Sequence, residues 1–225
     1  MKKKIIIFGD GEFADISYYY LKRHYNDLIS FFTVDDKYLE TSKFNNLDVI
    51  PFSEVLKKYK PNRYSFFCAI SYKNMNKLRE QKYNEIKKHN YEFISYVDER
   101  SAISRTAVIG NNCLILENQT IQPSVQIGDN SFLWSGNHIG HGSILAENVY
   151  VSSHVVISGN CKIGLNCFFG VNSSVKDFIT ISNDCFIGMN ATVTNNLLQG
   201  STVVVNKSEI YDKTHRFSKV VRKNY

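Results

Sequence analysis

The chain lacks any apolar run of about 18 residues, the length that a membrane-spanning helix needs. Its first apolar stretch, from Ile5 to Phe8, ends after four residues at Gly9, which is too short for the core of an export signal. These two absences predict a cytoplasmic protein that has no membrane partner.

Metal-binding cysteine pairs are missing as well. None of the five cysteines belongs to a Cys-x-x-Cys pair, the spacing typical of zinc sites, and a cytosolic setting disfavours disulfides. The formal net charge is +6, but no nucleic-acid-binding motif accompanies it. We therefore expect no metal and no nucleic acid partner, while phosphate-bearing small molecules would suit the charge. Basic residues cluster near the C-terminus, as in a solvated tail: His215, Arg216, Lys219, Arg222 and Lys223.

The chain does contain a strict six-residue period. Neither the 3.6-residue period of a helix nor the two-residue period of a strand produces a strict six. A short fixed period indicates a stacked repeat, in which each unit buries its apolar residue against its neighbours. The sixteen periodic residues are Ile103, Ile109, Ile115, Ile121, Ile127, Leu133, Ile139, Leu145, Val151, Ile157, Ile163, Phe169, Val175, Ile181, Ile187 and Val193.

Counted from residue 107, the repeat forms fifteen hexads with the periodic apolar residue at position three. Position four is Gly in six hexads, and position six is Asn in nine. Gly and Asn tolerate the left-handed or strained backbone of a tight corner. Each hexad is therefore predicted to be a short strand followed by a bend, with its position-three side chain pointing inward.

These hexads resemble the hexapeptide-repeat proteins that fold as a left-handed parallel β-helix. The match covers roughly residues 99 to 196. The resemblance implies a triangular coil of three hexads, so fifteen hexads give about five coils and a prism about 24 Å tall. A purely structural solenoid is the alternative. We divide the chain into an α/β domain over 1–98, the β-helix over 99–200 and a C-terminal extension over 201–225.

The sequence of the front domain predicts half of a nucleotide-binding sheet. A buried strand precedes a G-x-G-x-x-A turn at Gly9, Gly11 and Ala14, and a helix and a second strand follow before the acidic pair Asp35 and Asp36. This order is that of a half-Rossmann unit. We expect a small parallel sheet with helices on both faces. The predicted elements are strands Lys4–Phe8, Phe31–Val34, Asp48–Pro51, Tyr64–Ile70 and Phe93–Val97, and helices Glu12–Arg23 and Asn74–His89.

The same turn supplies the candidate nucleotide-binding residues. Carboxylates after the second strand can bind ribose hydroxyls or base edges, as such residues do in nucleotide-binding folds. Because only one half-unit fits before the repeat, we expect a nucleotide sugar rather than NAD. The alternative is a tight turn that packs strand on helix without a ligand. The candidates are Gly9, Gly11, Glu12, Asp35 and Asp36.

A small nucleotide unit followed by five hexapeptide coils resembles the sugar N-acyltransferases of bacterial glycan synthesis, the sialic acid O-acetyltransferase and bacillosamine N-acetyltransferase type. The most specific residues are His141, the Gly159-Asn160 pair one coil later, the Ile163-Gly164 step and the run NCFFGVN over 166–172. The resemblance implies acetyl-CoA as cosubstrate, a nucleotide-linked amino-dideoxy sugar as acceptor, and a role in O-antigen, capsule or glycoprotein synthesis. It further implies a homotrimer with active sites between protomers. It places Tyr150 at the sugar, and Val171 and Gly188 at the pantetheine arm.

Acyl transfer to an amine needs a base and donors for the carbonyl oxygen. Eighteen residues make one coil, so Gly159 should lie one rung, about 4.8 Å, from His141. We assign His141 as general base and the Gly159 amide as carbonyl anchor; an exposed corner histidine is the alternative. In the family a carboxylate follows this histidine, whereas Gly142 follows here. Another group orients the ring, or His141 works unaided, or its role is reduced.

Other residues and functions stay open. Trp134 either stacks on a sugar or base or lies between subunits, His138 points outward, and the coenzyme phosphates have no single partner among Lys207, Arg216 and Lys219. An O-acetyltransferase and a non-catalytic scaffold are the alternative functions. A γ-class metal hydratase is disfavoured because His138, His141 and His154 have the wrong spacing for its ligands.

Overall fold

The computed structural model describes residues 2–206. They form an α/β front domain, over residues 4–93, and a three-sided prism that begins at Tyr96 and ends at Val203. Within the described part of the chain, no helix is long and apolar enough to cross a membrane.

The front domain is a six-stranded sheet with strand order β3-β4-β2-β1-β5-β6. All its pairings are parallel except the β3–β4 hairpin, whose turn residues Asn45 and Asn46 have φ of 50° and 64°, as a two-residue hairpin turn requires. The strands are β1 (Lys4–Phe8), β2 (Ile29–Val34), β3 (Lys43–Phe44), β4 (Leu47–Pro51), β5 (Tyr64–Cys68) and β6 (Glu92–Phe93). The helices are α1 (Glu12–Tyr25), α2 (Phe52–Lys58) and α3 (Lys77–Lys88).

The structure confirms the predicted half-Rossmann layout and corrects its details. The sequence did not predict α2 or the antiparallel β3. The expected strand Phe93–Val97 is two strands, because Tyr96–Val97 pairs with Leu114–Ile115 and so forms the first rung of the prism. The prism therefore begins three residues before the expected boundary at 99, and its last strand, Thr202–Val203, lies beyond the expected boundary at 200.

The prism is a left-handed β-helix with three faces of seven, six and five parallel strands. Strand residues pair with residues 18 positions further on, for example Leu114 with Phe132, so one coil is three hexads. The last pair of the first face is the exception, with Phe186 opposite Thr202. First-face strands are β7 (Tyr96–Val97), β10 (Leu114–Ile115), β13 (Phe132–Leu133), β16 (Tyr150–Val151), β19 (Phe168–Phe169), β22 (Phe186–Ile187) and β24 (Thr202–Val203). Second-face strands are β8 (Ala102–Ile103), β11 (Thr120–Ile121), β14 (His138–Ile139), β17 (Val156–Ile157), β20 (Ser174–Val175) and β23 (Thr192–Val193). Third-face strands are β9 (Val108–Ile109), β12 (Gln126–Ile127), β15 (Ile144–Leu145), β18 (Lys162–Ile163) and β21 (Thr180–Ile181).

Positions four and six of the hexad have different structural roles. The periodic position-three residues form the core of the prism, as predicted. Every position-six residue from Asn112 to Asn190 has a positive φ, so position six is the left-handed corner that Asn and Gly favour. The position-four glycines keep φ outside that region, which corrects the expectation that they supply the bend. They are small because the next coil is close: a Cβ on Gly128 would lie 2.6 Å from the Ala146 carbonyl carbon.

The front domain is fixed to the first face of the prism. The Phe132 ring stacks on Phe13, with ring centroids 5.1 Å apart, and the Arg79 guanidinium lies 4.3 Å from the same ring centre. Arg79 is fully buried and donates to the backbone carbonyls of Asn130 and Asn148. Because a buried charge is tolerated only when it is well hydrogen-bonded, these contacts fix how α3 lies on the prism.

Candidate active site

A cavity of about 810 Å³ opens between the front domain and the first face, at the carboxyl ends of β1, β2 and β5. This edge of an open α/β sheet is where such folds bind ligands. Five of the residues predicted to bind a nucleotide sugar line the cavity: Gly9, Gly11, Glu12, Asp35 and Tyr150. Their assignment to a ligand remains a prediction, but the structure brings them together.

The two glycines of the turn meet different demands. Gly9 has a φ of +121°, and a Cβ on it would lie 2.9 Å from the Ala69 carbonyl oxygen, so the fold itself requires glycine there. Gly11 has an extended backbone before α1, with φ −92° and ψ −175°. A Cβ on Gly11 would find no heavy atom within 4 Å among the described residues. The absence of a side chain at Gly11 therefore keeps space open at the N-terminus of a helix, where anions bind favourably.

The adjacent carboxylates Asp35 and Asp36 diverge. Asp35 lines the cavity and pairs with the Lys82 ammonium at 2.5 Å. Asp36 instead accepts hydrogen bonds from the Ser53 hydroxyl and backbone N–H, at 2.5 and 3.1 Å, and these bonds lower the pKa of Asp36. The prediction that both carboxylates face a ligand therefore needs correction, because Asp36 holds the first turn of α2.

Lys82 is a cavity residue that the sequence did not reveal. Its side chain is only 8% exposed, and its ammonium lies 4.8 Å from the centre of the Phe8 ring and 4.9 Å from that of Phe52. One lysine among many on α3 carries no sequence signal. Asp10 also lines the cavity, and burial raises the pKa of its carboxyl.

Aromatic side chains close the cavity on the prism side. Tyr150 is buried, stacks on Phe168 with ring centroids 5.4 Å apart, and its hydroxyl accepts a hydrogen bond from the Trp134 indole N–H. Burial is the main cause that raises the pKa of Tyr150. Trp134 also lines the cavity, so within one protomer it already has a place beside the predicted sugar site.

A second group of candidates lies at another corner of the prism. The position-five residues of the second-face hexads stack there, where the second face turns into the third. We call this column the His141 corner; it contains Arg105, Pro123, His141, Gly159, Asp177 and Asn195. Gly159 lies on the coil after His141, and a Cβ on Gly159 would lie 2.6 Å from Cε1 of the His141 ring. The expected adjacency of His141 and Gly159 is present.

A glutamine contacts the His141 ring in the place of the missing carboxylate. Gln122 Oε1 accepts the His141 backbone N–H at 2.9 Å and lies 3.2 Å from His141 Nδ1. On the opposite side, Asn160 Nδ2 lies 3.4 Å from Nε2. Gly142, with a φ of +67°, makes the left-handed corner.

The Gly159 amide already has a partner. Its N–H donates to Oδ1 of Asp177 at 2.8 Å, a residue one coil further on that sequence reasoning did not select. To hold a carbonyl oxygen, the Gly159 N–H would first have to leave this carboxylate. The role of carbonyl anchor therefore stays a prediction, with Asp177 as its competitor.

The remaining predicted residues lie away from the His141 corner. Val171, 39% exposed, is at the corner between the first and second faces, and Gly188 is on the first face, where a Cβ would lie 3.2 Å from the Val203 carbonyl oxygen. His138 is half-buried on the second face. Within residues 2–206 of one protomer, the cavity and the His141 corner belong to different sides of the prism.

Two other expectations concern the coenzyme phosphates and a metal site. Lys207, Arg216 and Lys219, named as candidate partners of the coenzyme phosphates, lie outside the described residues. Within the described residues, no group of three or more histidine, cysteine, aspartate or glutamate side chains is arranged to hold a metal ion, and all five cysteines are free and buried.

Parts of the repeat match two models of hexapeptide repeats. Residues 106–141 and 124–159 match the bacterial transferase hexapeptide (six repeats), and residues 161–195 match the hexapeptide repeat of succinyl-transferase. No curated protein sequence matches the chain significantly.

Several solved structures share the fold over nearly the whole chain. The acetyltransferase domain of PglB from Neisseria gonorrhoeae, in complex with acetyl coenzyme A, is 17% identical, with a TM-score of 0.78 over 90% of this chain and 96% of that one. PerB from Caulobacter crescentus, in complex with CoA and GDP-perosamine, is 19% identical, with a TM-score of 0.78 over 90% and 94%. WeeI from Acinetobacter baumannii is 18% identical, with a TM-score of 0.61 over 93% and 100%. The chain thus has the fold of a hexapeptide-repeat β-helix protein with an α/β front domain, as the resemblance implied.

Proposed function

We propose that the chain is an acetyl-CoA-dependent N-acetyltransferase that acts on the amine of a nucleotide-linked amino-dideoxy sugar, in the cytoplasmic synthesis of a bacterial surface glycan. One observation carries this proposal: His141 is exposed at a corner of a hexapeptide prism, with its Nδ1 engaged by Gln122 and its ring against Gly159. An exposed imidazole with Nδ1 engaged suits general base catalysis through Nε2, whose contact with Asn160 Nδ2 is long, at 3.4 Å.

The cavity supports a nucleotide-linked acceptor. Its volume of about 810 Å³ falls in the range of small-molecule sites. The glycine turn at the N-terminus of α1 suits a diphosphate, while Asp35 offers a carboxylate to ribose or base and Trp134 and Tyr150 offer aromatic surface to the sugar. PerB, which shares the fold, binds GDP-perosamine.

The chemistry assigned to the His141 corner is a direct acyl transfer. The amine nitrogen attacks the thioester carbonyl, and the nitrogen–carbon bond forms while a proton passes from the amine to His141 Nε2. The carbon–sulfur bond then breaks, and the coenzyme thiolate takes the proton from the imidazolium. A backbone N–H must stabilise the oxygen that gains charge, and we assign this role to Gly159 after Asp177 has released it.

The separation of the two sites supports a homotrimer. In one protomer the cavity is on the first face and His141 is at the corner of the second and third faces, so a complete site requires a neighbouring copy. Side chains exposed on the outer faces include Val108 (61%), Ile144 (40%) and Val156 (42%), as expected for surfaces that another prism covers. Val171 and Gly188, on the cavity side, would then meet the coenzyme that reaches the neighbour's His141.

The test is a thiol-release assay with acetyl-CoA against UDP-, dTDP- and GDP-linked sugars that carry an amine at carbon three or carbon four. The matched controls are the same sugars with a hydroxyl in place of the amine. We expect thiol release with at least one amino sugar and none with its hydroxyl counterpart. Turnover of alcohol acceptors alone would show an O-acetyltransferase, and no turnover of any acceptor would favour a scaffold; either result overturns the proposal.

A further inference from the structure

We propose that Gln122 is the positioning residue of the general base, and that a neutral amide here does the orienting that a carboxylate does in proteins with an acidic residue after the histidine. The inference rests on the proposed function, because it concerns the same His141. It goes further by assigning the tautomer of the ring and the group that sets it.

The first step fixes which atom of Gln122 faces the histidine. The amide oxygen and nitrogen of a glutamine have nearly the same shape, so their assignment depends on hydrogen-bond partners. The His141 backbone N–H points at this atom from 2.9 Å, and a backbone N–H can only donate. The atom must therefore be the oxygen, Oε1.

The second step fixes the proton on the ring. Since the same Oε1 lies 3.2 Å from His141 Nδ1 and an amide oxygen only accepts, this contact is attractive when Nδ1 carries the proton. In the neutral ring Nε2 then has the free lone pair. Asn160 Nδ2, a donor 3.4 Å from Nε2, is compatible with that lone pair.

The backbone of His141 holds the Gln122 amide in place. Gln122 is on the coil before His141, and its Oε1 bridges the His141 backbone and ring, so the ring angle is tied to the main chain of the prism. On the other side, Gly159 leaves room for the ring, because a Cβ there would lie 2.6 Å from Cε1. The ring is thus confined between the coil before it and the coil after it.

A neutral partner has a chemical consequence. A carboxylate beside Nδ1 stabilises the imidazolium, whereas an amide oxygen orients the ring with much less charge stabilisation. The charged residues of the same column, Arg105 and Asp177, are each two coils from His141, and Asp177 is engaged with the Gly159 amide. Replacing Gln122 by glutamate should therefore move the acid limb of the pH–rate profile to higher pH.

The direct test is nitrogen NMR of the full-length protein with ¹⁵N-labelled imidazole rings, with the His141 signals assigned by their loss in His141→Asn. Above the titration range we expect a protonated Nδ1 and an unprotonated Nε2 for His141. In Gln122→Leu, which keeps similar bulk but no oxygen, the Nε2-protonated form that free histidine prefers should become populated. A wild-type ring already protonated at Nε2, or no change in Gln122→Leu, would overturn the inference.

Kinetics supply a second readout. For Gln122→Leu we expect kcat to fall about 10- to 100-fold, the usual effect of losing a group that orients a catalytic residue, with KM for both substrates within about twofold. Gln122→Glu keeps an oxygen at this position and should retain most of the activity while its acid limb shifts. Gln81→Leu, on the exposed side of α3, is the matched control and should behave as wild type.

The two proposals fail in different ways. If the wild-type protein acetylates no acceptor, the proposed function fails, while the NMR spectra still decide whether Gln122 sets the tautomer. If the wild type is active but Gln122→Leu keeps both kcat and the Nδ1 proton, the role of Gln122 fails and the proposed function stands.

Discussion

The prism and the front domain place their functional residues in different ways. In the prism, the position of a residue along the sequence determines its neighbours on the next coil. Gly159, 18 residues after His141, lies next to its ring, and Asp177, a further 18 residues on, accepts the Gly159 amide N–H. In the front domain the adjacent carboxylates have unrelated partners. Asp35 pairs with Lys82, whereas Asp36 accepts a hydrogen bond from Ser53. Repetition lets the sequence alone specify which residues meet, whereas an irregular domain depends on contacts between distant segments.

The largest expected effect concerns His141, the proposed base, in the prism. His141→Asn removes the proton acceptor but keeps a similar small polar side chain, so we expect kcat to fall about 10²- to 10⁴-fold with an unchanged melting temperature. His89→Asn, an exposed histidine just after α3, is the control and should keep full activity. Steady-state acetylation rates measure both, and full activity of His141→Asn would remove the histidine from the mechanism.

The next effect concerns Asp98, which ties the two halves together. Its carboxylate is fully buried and accepts hydrogen bonds from Arg23, Arg100 and Tyr96. We expect Asp98→Asn to destabilise the protein by about 3 kcal/mol at pH 7, because it leaves cations without their partner. Asp48→Asn, which breaks an exposed pair with Lys43, should change the free energy of unfolding by less than about 1 kcal/mol. Urea denaturation measures both.

The contribution of Asp98 also predicts a pH dependence. Hydrogen bonds from Arg100, in first place, hold the pKa of Asp98 well below its usual range. A carboxyl whose pKa is lower when folded than when unfolded stabilises the protein above its unfolded pKa, about 3.9, and loses that effect as the pH falls below it. The stability difference between wild type and Asp98→Asn should therefore shrink from pH 7 to pH 3. A difference that grows on acidification would contradict this assignment.

Two glycines of the second face separate stability from activity. A Cβ on Gly140 would lie 2.5 Å from the Gly159 backbone nitrogen, whereas a Cβ on Gly159 meets the movable His141 ring. We expect Gly140→Ala to destabilise the prism by about 1–3 kcal/mol through overpacking. Gly159→Ala should destabilise less but lower kcat about tenfold or more by displacing the ring. If the two variants lost the same amount of activity and the same free energy of unfolding, this division would be wrong.

A similar division applies to the turn of the front domain. Gly9→Ala strains a φ of +121° and should destabilise the protein by about 1–3 kcal/mol. Gly11→Phe meets open space, so its free energy of unfolding should stay within about 1 kcal/mol of wild type, while its KM for the nucleotide sugar rises about tenfold or more because the ring fills the cavity. An unchanged KM in Gly11→Phe would place the nucleotide elsewhere.

The sequence was sufficient for the prism because one signal, the period of six, repeats through it. It specified the inward residues, the stacking of His141 on Gly159 and the corner at position six. It misassigned the position-four glycines, because composition does not distinguish a bend from a close approach. Gln122 and Asp177 were missed because each looks like one more polar corner residue until the coil register is combined with the reach of its side chain.

In the front domain the sequence predicts the order of the elements but not the contacts between distant segments. Its strand–turn–helix order was readable from local patterns, but Lys82 meets Asp35 across 47 residues and Arg79 reaches the prism across 51. No periodicity reports such contacts. For the same reason the sequence placed Asp36 with Asp35, although Asp36 accepts its hydrogen bonds from Ser53 on α2.

The central claim is that the cavity of one protomer works with the His141 corner of another, and subunit mixing tests it most directly. His141→Asn and Gly11→Phe chains are both expected to be weakly active alone when the nucleotide sugar is kept well below the wild-type KM. The two chains are co-expressed in equal amounts with different affinity tags, and the mixed trimers are purified and assayed under that condition. In a cyclic trimer that contains both chains, one of the three sites combines an intact cavity with a neighbour's intact histidine, so the purified mixed trimers should recover about a third of wild-type activity. Mixed trimers that are no more active than the Gly11→Phe parent would contradict the account.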